Sequence, residues 1–295
     1  MNKNSVFSGV ATALITPIDE NGVNYEKLGK LIDWQIEEGI NALVICGTTG
    51  ESSTLTDEEH REVIKYAVER VNKRVPVIAG TGSNDTSYAI SLTRFSCEAG
   101  ADAVLVVTPY YNKTTQDGLV QMYKAIADAS TVPVILYNVP SRTGVNIEPE
   151  TYLKLAEHPM ITGIKEANGN ISAIAKTASL VKGKLDIYSG NDDEIVPIMS
   201  LGGIGVISVL SNLMPRKTVE ICQSFAKGDV AKARDLQLEL LPLINALFSE
   251  VNPIPVKSAM AQMGFCENYL RLPLVKMSDG KEKVLVSLMK EQGLI

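Results

Sequence analysis

Short hydrophobic runs rich in β-branched residues recur along the first two-thirds of the chain, and their ends are rich in Gly, Pro or Asn. They cover Gly9–Pro17, Ala42–Gly50, Pro76–Gly82, Ala103–Tyr111, Pro133–Pro140, Ile161–Ala167, Leu185–Asp192 and Gly205–Asn212. Amphipathic stretches lie between them, among them Tyr25–Glu38, Thr56–Val71, Thr86–Glu98 and Leu119–Ala129. Continuous hydrophobicity is typical of strands covered on both faces. The pattern therefore predicts eight βα repeats, spaced about 28 residues apart.

Eight βα repeats favour an α/β fold of one kind, the (β/α)8 TIM barrel. A doubly wound open sheet is the alternative. Dinucleotide-binding folds of that kind carry Gly-x-Gly-x-x-Gly after the first strand, whereas this chain has Thr16-Pro17-Ile18-Asp19 there. Beyond Gly228 the strand pattern stops. Three helices are predicted there, Val230–Phe248, Ile254–Met263 and Lys281–Gln292. We therefore expect a catalytic barrel over residues 1–228 and a C-terminal helical extension over residues 229–295.

Composition excludes several classes of protein. The net charge of −6 leaves no chain-wide basic surface for nucleic acid or anionic lipid. No apolar run is long enough to cross a membrane, and the first residues show no signal segment. Four cysteines without a Cys-x-x-Cys pair and two histidines without a metal-binding spacing favour buried thiols and no metal or other cofactor. These features predict a cytoplasmic protein.

Lys165 is the sharpest chemical signal in the chain. It lies inside the predicted sixth strand, Ile161–Ala167, which the barrel should cover on both sides. Burial disfavours the ammonium form, so a lysine there can be a neutral amine that attacks a carbonyl to form a Schiff base. The structural alternative is a lysine near the strand end that pairs with a carboxylate such as Glu166 or extends to solvent.

Other polar residues follow the predicted strands at the barrel end where chemistry occurs. The segment Gly47–Ser52 carries two threonine hydroxyls, and its glycines would let backbone N–H groups converge on an anion. Tyr137 lies one repeat before Lys165 and is suited to proton transfer, unless it is a core tyrosine. Arg142 offers a guanidinium to a carboxylate, unless it is a surface arginine.

Three further features favour structure over chemistry. The glycines at Gly202–Gly205 precede the eighth strand and so lie at the wrong end of the barrel for a phosphate site. The acidic run Asp192–Glu194 would repel phosphate. Asp57 and His60 are three residues apart on a predicted helix, where acidic first-turn residues that complement the helix dipole explain them better than a metal site does. A predicted capping box over Thr56–Glu59 explains part of the Gly47–Ser52 segment as a turn and helix cap, but it leaves the Thr48 and Thr49 hydroxyls unexplained.

Five segments give the chain a resemblance to the dihydrodipicolinate synthase family, also called the 4-hydroxy-tetrahydrodipicolinate synthase family. They are Gly47–Ser52, Thr108–Tyr111, Tyr137–Gly144, Gly163–Ala167 and Asn252–Lys257, and the resemblance extends over nearly the whole chain. It implies a barrel with a helical extension and a homotetramer built as a dimer of dimers. It also implies a cofactor-independent lyase that condenses pyruvate with L-aspartate 4-semialdehyde in lysine and diaminopimelate biosynthesis.

The resemblance implies a role for each matching residue. Lys165 would form the Schiff base with pyruvate, and Tyr137, Thr48 and Tyr111 would relay protons, with Tyr111 reaching in from a neighbouring subunit. Thr49 would hold the pyruvate carboxylate, and Arg142 that of the semialdehyde. Ile207, through its backbone, and Gly190 would complete the substrate site.

Sister aldolases such as N-acetylneuraminate lyase share the lysine and the tyrosine, but Arg142 in its motif favours the synthase. A non-catalytic binding barrel is the other alternative, and the complete set of reactive residues argues against it.

The resemblance also places a lysine-binding regulatory site at Ser52, Ser53, Asp57, His60, Asn84, Tyr88 and Tyr110. Lysine-sensitive members have a glutamate at position 88 and a histidine at position 57, so we expect weak feedback inhibition or none.

Overall fold

In the computed structural model, which describes residues 5–295, eight parallel strands close into a barrel. Met1–Asn4, where no signal segment is predicted, lie outside the described residues. The barrel strands are β1 (Gly9–Ala13), β4 (Ala42–Ile45), β5 (Val77–Gly80), β6 (Ala103–Val107), β7 (Val134–Asn138), β8 (Ile161–Glu166), β9 (Asp186–Ser189) and β10 (Gly205–Ser208). Between β1 and β4 a short antiparallel pair is inserted, β2 (Ile18–Asp19) and β3 (Gly22–Val23). Each barrel strand pairs with its neighbours in chain order, and β1 closes the ring by pairing with β4 and β10. The predicted barrel is confirmed.

Helices separate the strands along the chain. They are α1 (Tyr25–Glu37), α2 (Asp57–Val71), α3 (Thr86–Glu98), α4 (Gln116–Asp128), α5 (Pro140–Thr143), α6 (Pro149–Leu155), α7 (Ile171–Val181), α8 (Ile195–Ser200) and α9 (Pro215–Ala226). The capping box at Thr56 and Glu59 is present at the start of α2. Helix α4 begins before the predicted Leu119, because the Thr115 side chain accepts a hydrogen bond from the Gly118 N–H and so starts the helix earlier.

The strands end earlier than the hydrophobic runs that predict them. Strand β4 ends at Ile45 because Cys46 adopts the left-handed conformation, with φ 54°. Strand β6 ends at Val107, two residues before Pro109, which has no N–H for a ladder. The last residues of each predicted run therefore form the loops at the carboxyl end of the barrel, which is where candidate site residues lie.

Side chains fill the interior of the barrel. Its inner cluster includes Ala11, Ile78, Ile135 and Ile207. Tyr188 stacks on Phe7, with ring centroids 4.3 Å apart, and donates a 2.9 Å hydrogen bond to the Phe7 carbonyl. This packing makes the barrel a core and not a pore.

Three helices follow the barrel: α10 (Val230–Leu247), α11 (Ile254–Gln262) and α12 (Asp279–Glu291). Helix α10 packs on α8, α9 and α12, and buried residues such as Leu240 and Val256 belong to the same hydrophobic cluster as Leu28 of α1. The division at residue 228 stays a prediction, since this core runs across it. No helix within residues 5–295 combines the length and the apolar character that crossing a membrane requires.

Candidate active site

Lys165 and Tyr137 lie side by side inside the barrel. They are partners in the register of β7 and β8. The Nζ atom of Lys165 lies 4.2 Å from the centroid of the Tyr137 ring. Both side chains are buried. The one-repeat spacing between them predicts this adjacency, and the structure confirms it.

Neither structural alternative for Lys165 holds. Its side chain is buried, so it does not extend to solvent. The neighbouring Glu166 is engaged elsewhere, because Oε2 accepts from the Tyr152 hydroxyl and Oε1 from the Asn138 amide. Lys165 makes no ion pair with any residue of the described range 5–295. Its amine is therefore available for chemistry.

Asp192 is the buried carboxylate at the end of β9. Its Oδ2 accepts hydrogen bonds from the backbone N–H groups of Val209 at 3.0 Å and Leu210 at 2.9 Å, which ties β9 to the loop after β10. Burial raises the pKa of Asp192, while those hydrogen bonds and the charge of Lys165 oppose the rise. Asp192, which the sequence analysis includes in an acidic run that would repel phosphate, therefore has a structural role near Lys165.

Two N–H groups of the Gly47–Ser52 loop bond within the loop itself and take no part in the predicted cradle. The N–H groups of Glu51 and Ser52 are already bonded to the carbonyls of Thr48 and Gly47. Thr49 is buried and Thr48 half-buried. The loop lies so close to β5 that a Cβ on Gly80 would be 2.2 Å from the Cys46 carbonyl oxygen. The threonine side chains and the N–H groups of Thr48 and Thr49 remain as donors for a ligand, so the N–H cradle stays a prediction.

Asn252, between α10 and α11, reaches this loop and was not assigned a role by sequence reasoning. Its side-chain amide donates a 3.0 Å hydrogen bond to Thr49 Oγ1. Because that bond uses an acceptor position of the hydroxyl, the Thr49 proton stays free to be donated. The resemblance motif Asn252–Lys257 was the signal that could have found it.

A cavity of about 240 Å³ opens at the carboxyl ends of the strands. It brings together Thr48, Arg142 and Tyr110, which lie in three different loops. The full lining is Thr48, Ser52, Ser53, Gly82, Val107, Tyr110, Val139, Arg142 and Thr143. Larger clefts of about 550 and 460 Å³ border α9. The second of these lies at the amino ends of β1, β4 and β10, away from the end where barrels carry their chemistry.

Arg142 stands on α5 at the rim of this cavity. Its side chain is exposed and forms no ion pair with another residue in 5–295. The next residue, Thr143, is buried and accepts a 2.9 Å hydrogen bond from the Thr108 hydroxyl. The short helix is therefore fixed to the loop after β6, while the guanidinium stays free to bind an anion.

Tyr111 does not join the other proposed proton-transfer residues within one chain. Its side chain is 92% exposed, and its φ of 70° lies in the left-handed region. Tyr110 beside it lines the cavity. The next residue, Asn112, donates a 2.9 Å hydrogen bond from its amide to the Asn84 carbonyl, which fixes this loop to the one after β5.

Ile207 lies on β10 and Gly190 directly follows β9, on the side of the lysine strand β8 that is opposite to β7. Ile207 is completely buried in β10. The N–H of Gly190 donates a 2.7 Å hydrogen bond to the Glu166 carbonyl. A Cβ at Gly190 would lie 2.7 Å from the Ala167 Cβ, so glycine alone permits this approach of β9 to β8.

The predicted lysine-binding residues of α2 and α3 already have partners within the chain. Asp57 accepts a 2.8 Å hydrogen bond from Arg61, which holds the pKa of that carboxyl below its usual range. Burial and the hydrogen bond to Asp57 raise the pKa of Tyr88 to about 12, so it is a neutral phenol. His60 lies 2.9 Å from the Gly80 carbonyl, and burial lowers its pKa.

This end of the barrel offers side chains suited to nucleophilic attack, proton transfer and anion binding. It combines an unpaired buried amine, a phenol, threonine hydroxyls and a free guanidinium. Within the described residues no group of three or more His, Cys, Asp or Glu side chains is placed to hold a metal ion. Such a set can bind a small carboxylate through hydrogen bonds and activate a carbonyl through an imine.

Comparison with known proteins places the chain in one family context. The family model described as the dihydrodipicolinate synthetase family matches residues 6–292. A protein of Lachnoclostridium phytofermentans, named 4-hydroxy-tetrahydrodipicolinate synthase, is 58% identical over 293 residues, which is 99% of this chain and 100% of the relative. The identity extends through the barrel and the C-terminal helices.

Solved structures are similar to this chain over the same share of its length. Dihydrodipicolinate synthase from Thermotoga maritima superposes with a TM-score of 0.97 at 44% identity, covering 99% of this chain and 100% of that one. The chloride-inhibited dihydrodipicolinate synthase from Acinetobacter baumannii, complexed with pyruvate, gives a TM-score of 0.96 at 44% identity, with the same coverage.

Proposed function

The chain belongs to the dihydrodipicolinate synthetase family, and we propose that it is the lyase that condenses pyruvate with L-aspartate 4-semialdehyde to 4-hydroxy-tetrahydrodipicolinate and water. This step belongs to lysine and diaminopimelate biosynthesis. The proposal agrees with the full-length similarity to relatives that carry the synthase name. N-acetylneuraminate lyase, the sister activity on the same scaffold, is not favoured by those names.

One contrast between two lysines carries the assignment of the reactive group. In the described part of the chain two lysines are buried, Lys165 and Lys257. Lys257 contacts Glu51 and donates to the Thr16 carbonyl, so its nitrogen is held by an ion pair and a hydrogen bond. Lys165 has no such partner and lies against the Tyr137 ring. A nucleophilic amine must lose its proton, so Lys165 is the residue suited to attack.

The chemistry then follows from the groups at the carboxyl end. Lys165 Nζ attacks the pyruvate carbonyl carbon, and the carbonyl oxygen leaves as water to give a protonated imine. The imine withdraws electrons, so the methyl group loses a proton to the Tyr137–Thr48 relay and becomes an enamine. The enamine carbon attacks the aldehyde, whose oxygen takes a proton. The amino group of the semialdehyde then displaces Lys165 from the imine carbon and closes the ring.

The family resemblance supplies the binding roles, and contacts within this chain support them. Thr49 donates to the pyruvate carboxylate while Asn252 donates to Thr49. Ile207, through its backbone, and Gly190 border the imine site from β10 and β9. Arg142, exposed at the cavity rim, receives the carboxylate of the semialdehyde.

The proposed assembly is a homotetramer made of two dimers, in which Tyr111 completes the relay of the neighbouring subunit. Its support in this chain is the nearly full exposure of the Tyr111 ring. A tyrosine so exposed contributes little to its own fold and is accessible to a neighbouring subunit.

Borohydride trapping tests the function. Reduction in the presence of pyruvate should add the mass of the reduced adduct to the peptide that contains Lys165. In Lys165→Ala the adduct should disappear, together with nearly all turnover in an assay coupled to consumption of aspartate semialdehyde. An adduct that persists on Lys257 in this variant would overturn the assignment, and consumption of a different aldehyde only would favour the sister activity.

A further inference from the structure

A buried ion pair joins helix α11 to the Gly47–Ser52 loop. The ammonium of Lys257 contacts Glu51 Oε1 and donates a 2.8 Å hydrogen bond to the Thr16 carbonyl. Both charged side chains are completely shielded from solvent. Removing two ions from water is so costly that a buried pair is weak evidence for stability. Its presence beside the substrate site therefore points to a role other than holding the fold together.

Glu51 is the residue that fixes the course of the loop. It adopts the left-handed conformation, with φ 57° and ψ 34°, which residues other than glycine adopt at a cost unless their surroundings hold them there. Cys46, at the other end of the loop, is left-handed as well. Thr48 and Thr49 lie between these two residues. A rotation at Glu51 would consequently move both hydroxyls.

The C-terminal segment and β1 hold this loop at three points. Lys257 holds Glu51, and Asn252 holds Thr49 through its amide. Thr16, which follows β1, donates from its hydroxyl to the Gly50 carbonyl at 2.7 Å, and its own carbonyl accepts from Lys257. These are directed contacts, and directed contacts select one conformation of the loop where apolar packing would permit several.

We propose that Glu51 and Lys257 are positioning residues that hold the Thr48 and Thr49 hydroxyls in place for pyruvate. The inference rests on the proposed function, in which Thr49 binds the pyruvate carboxylate and Thr48 relays protons. Neither Glu51 nor Lys257 touches the substrate. A displacement of about 1 Å in such a site can cost on the order of 100-fold in rate.

The double variant Glu51→Met/Lys257→Met tests this proposal. It replaces the pair by apolar side chains of similar length, which buried ion pairs often tolerate without loss of stability. We expect the variant to fold. The pyruvate concentration that half-saturates borohydride trapping at Lys165 should rise at least about tenfold. The KM for the semialdehyde, whose carboxylate binds Arg142 on another loop, should change less than about twofold.

Leu240→Ala is the matched control for a general loss of stability. Leu240 is completely buried in α10, in the same C-terminal region, so its truncation leaves a cavity and lowers the melting temperature. The Leu240 side chain is apolar and takes no part in the hydrogen bonds that hold the loop. The control should keep the wild-type half-saturating pyruvate concentration. A folded double variant that binds pyruvate as the wild type does would overturn the proposal.

Two further measurements keep the test decisive if the double variant does not fold. Glu51→Gln keeps the side-chain length and an acceptor for Lys257, and it should raise the half-saturating pyruvate concentration to a smaller degree. In the wild type, the amides of Glu51 and Ser52 should exchange with deuterium as slowly as those of β4, because the clamp prevents local opening. Rapid exchange of these amides would overturn the proposal. Failure of the wild type itself to trap pyruvate would instead contradict the proposed function.

Discussion

Glu166 accepts a 2.8 Å hydrogen bond from the hydroxyl of Tyr152, a residue of α6 on the outer side of the barrel. Its neighbour Lys165 meets the Tyr137 ring, and Tyr137 belongs to the inner cluster. Adjacent residues of a strand point to opposite faces. Strand β8 therefore carries its amine inside the barrel and its carboxylate into a separate buried cluster, so that the two groups do not pair with each other.

The buried position of Glu166 predicts a dependence of stability on pH. Burial raises the pKa of Glu166 from 4.5 to about 7, against the effect of its hydrogen bonds. Between those values the folded chain binds more protons than the unfolded chain, so this group lowers the free energy of unfolding as pH rises from 4.5 to 7. The effect amounts to about 1.4 kcal/mol per pH unit at most.

Urea unfolding at pH 4.5–7.5 measures that slope. Glu166→Gln keeps an acceptor oxygen but cannot titrate, so its slope should be shallower than that of the wild type. Glu157→Gln, at an exposed glutamate of the same α6–β8 connection, is the control and should leave the slope unchanged. Equal slopes in all three proteins would contradict the prediction.

Tyr137→Phe and Thr48→Val should slow turnover by on the order of 10²–10⁴-fold while the fold persists. Each change removes one hydroxyl and keeps the shape of the side chain. Rates with both substrates at saturation measure the loss. Tyr123→Phe is the matched control, since that buried hydroxyl donates to the Val106 carbonyl away from the site and its removal should leave turnover intact. Wild-type rates in both site variants would show that other groups carry the protons.

Arg142→Ala should weaken use of the semialdehyde far more than use of pyruvate. A charge-assisted hydrogen bond to a carboxylate contributes about 1.5–3 kcal/mol, which corresponds to about 10- to 150-fold in KM. Arg142→Lys keeps the charge but not the planar guanidinium, so its KM for the semialdehyde should lie between those of the wild type and Arg142→Ala. Arg94→Ala removes an exposed arginine of α3 and serves as the control. Equal losses for both substrates would count against this role.

Mixed subunits test whether Tyr111 acts across an interface. Tyr111→Phe and Lys165→Ala should each be inactive alone. A hybrid of the two would contain one site with both a wild-type lysine and a wild-type tyrosine, so mixing after partial dissociation should restore part of the activity. Native mass spectrometry verifies that hybrids form. Hybrids without activity would show that Tyr111 serves its own chain.

L-Lysine should inhibit weakly or not at all. Tyr88 replaces the glutamate that lysine-sensitive relatives are expected to use, and the loss of a charge-assisted hydrogen bond is worth about 10- to 150-fold in affinity. Asp57 does not compensate freely, because Arg61 already binds its carboxylate. Initial rates against rising lysine measure the effect. Tyr88→Glu should increase inhibition and Tyr88→Phe should not, whereas strong sub-millimolar inhibition of the wild type would contradict the prediction.

The sequence by itself determined the barrel and the pairing at its centre. Eight continuous hydrophobic runs at a nearly constant spacing leave few alternatives, because strands covered on both faces need helices between them. The same spacing placed Tyr137 beside Lys165, since parallel neighbours one repeat apart share a register. Local periodicity carries this information because it depends on residues close together in the chain.

Tertiary structure alone decided which buried groups satisfy one another. Lys257 meets Glu51 across 206 residues, and Asn252 meets Thr49 across 203, at separations where no local pattern specifies a partner. The sequence left open whether Glu166 would pair with Lys165, and the packing of α6 against β8 gave that carboxylate to Tyr152 instead. These side chains pair with the groups that the packing brings within hydrogen-bond distance, because leaving a polar group unpaired in the interior is costly.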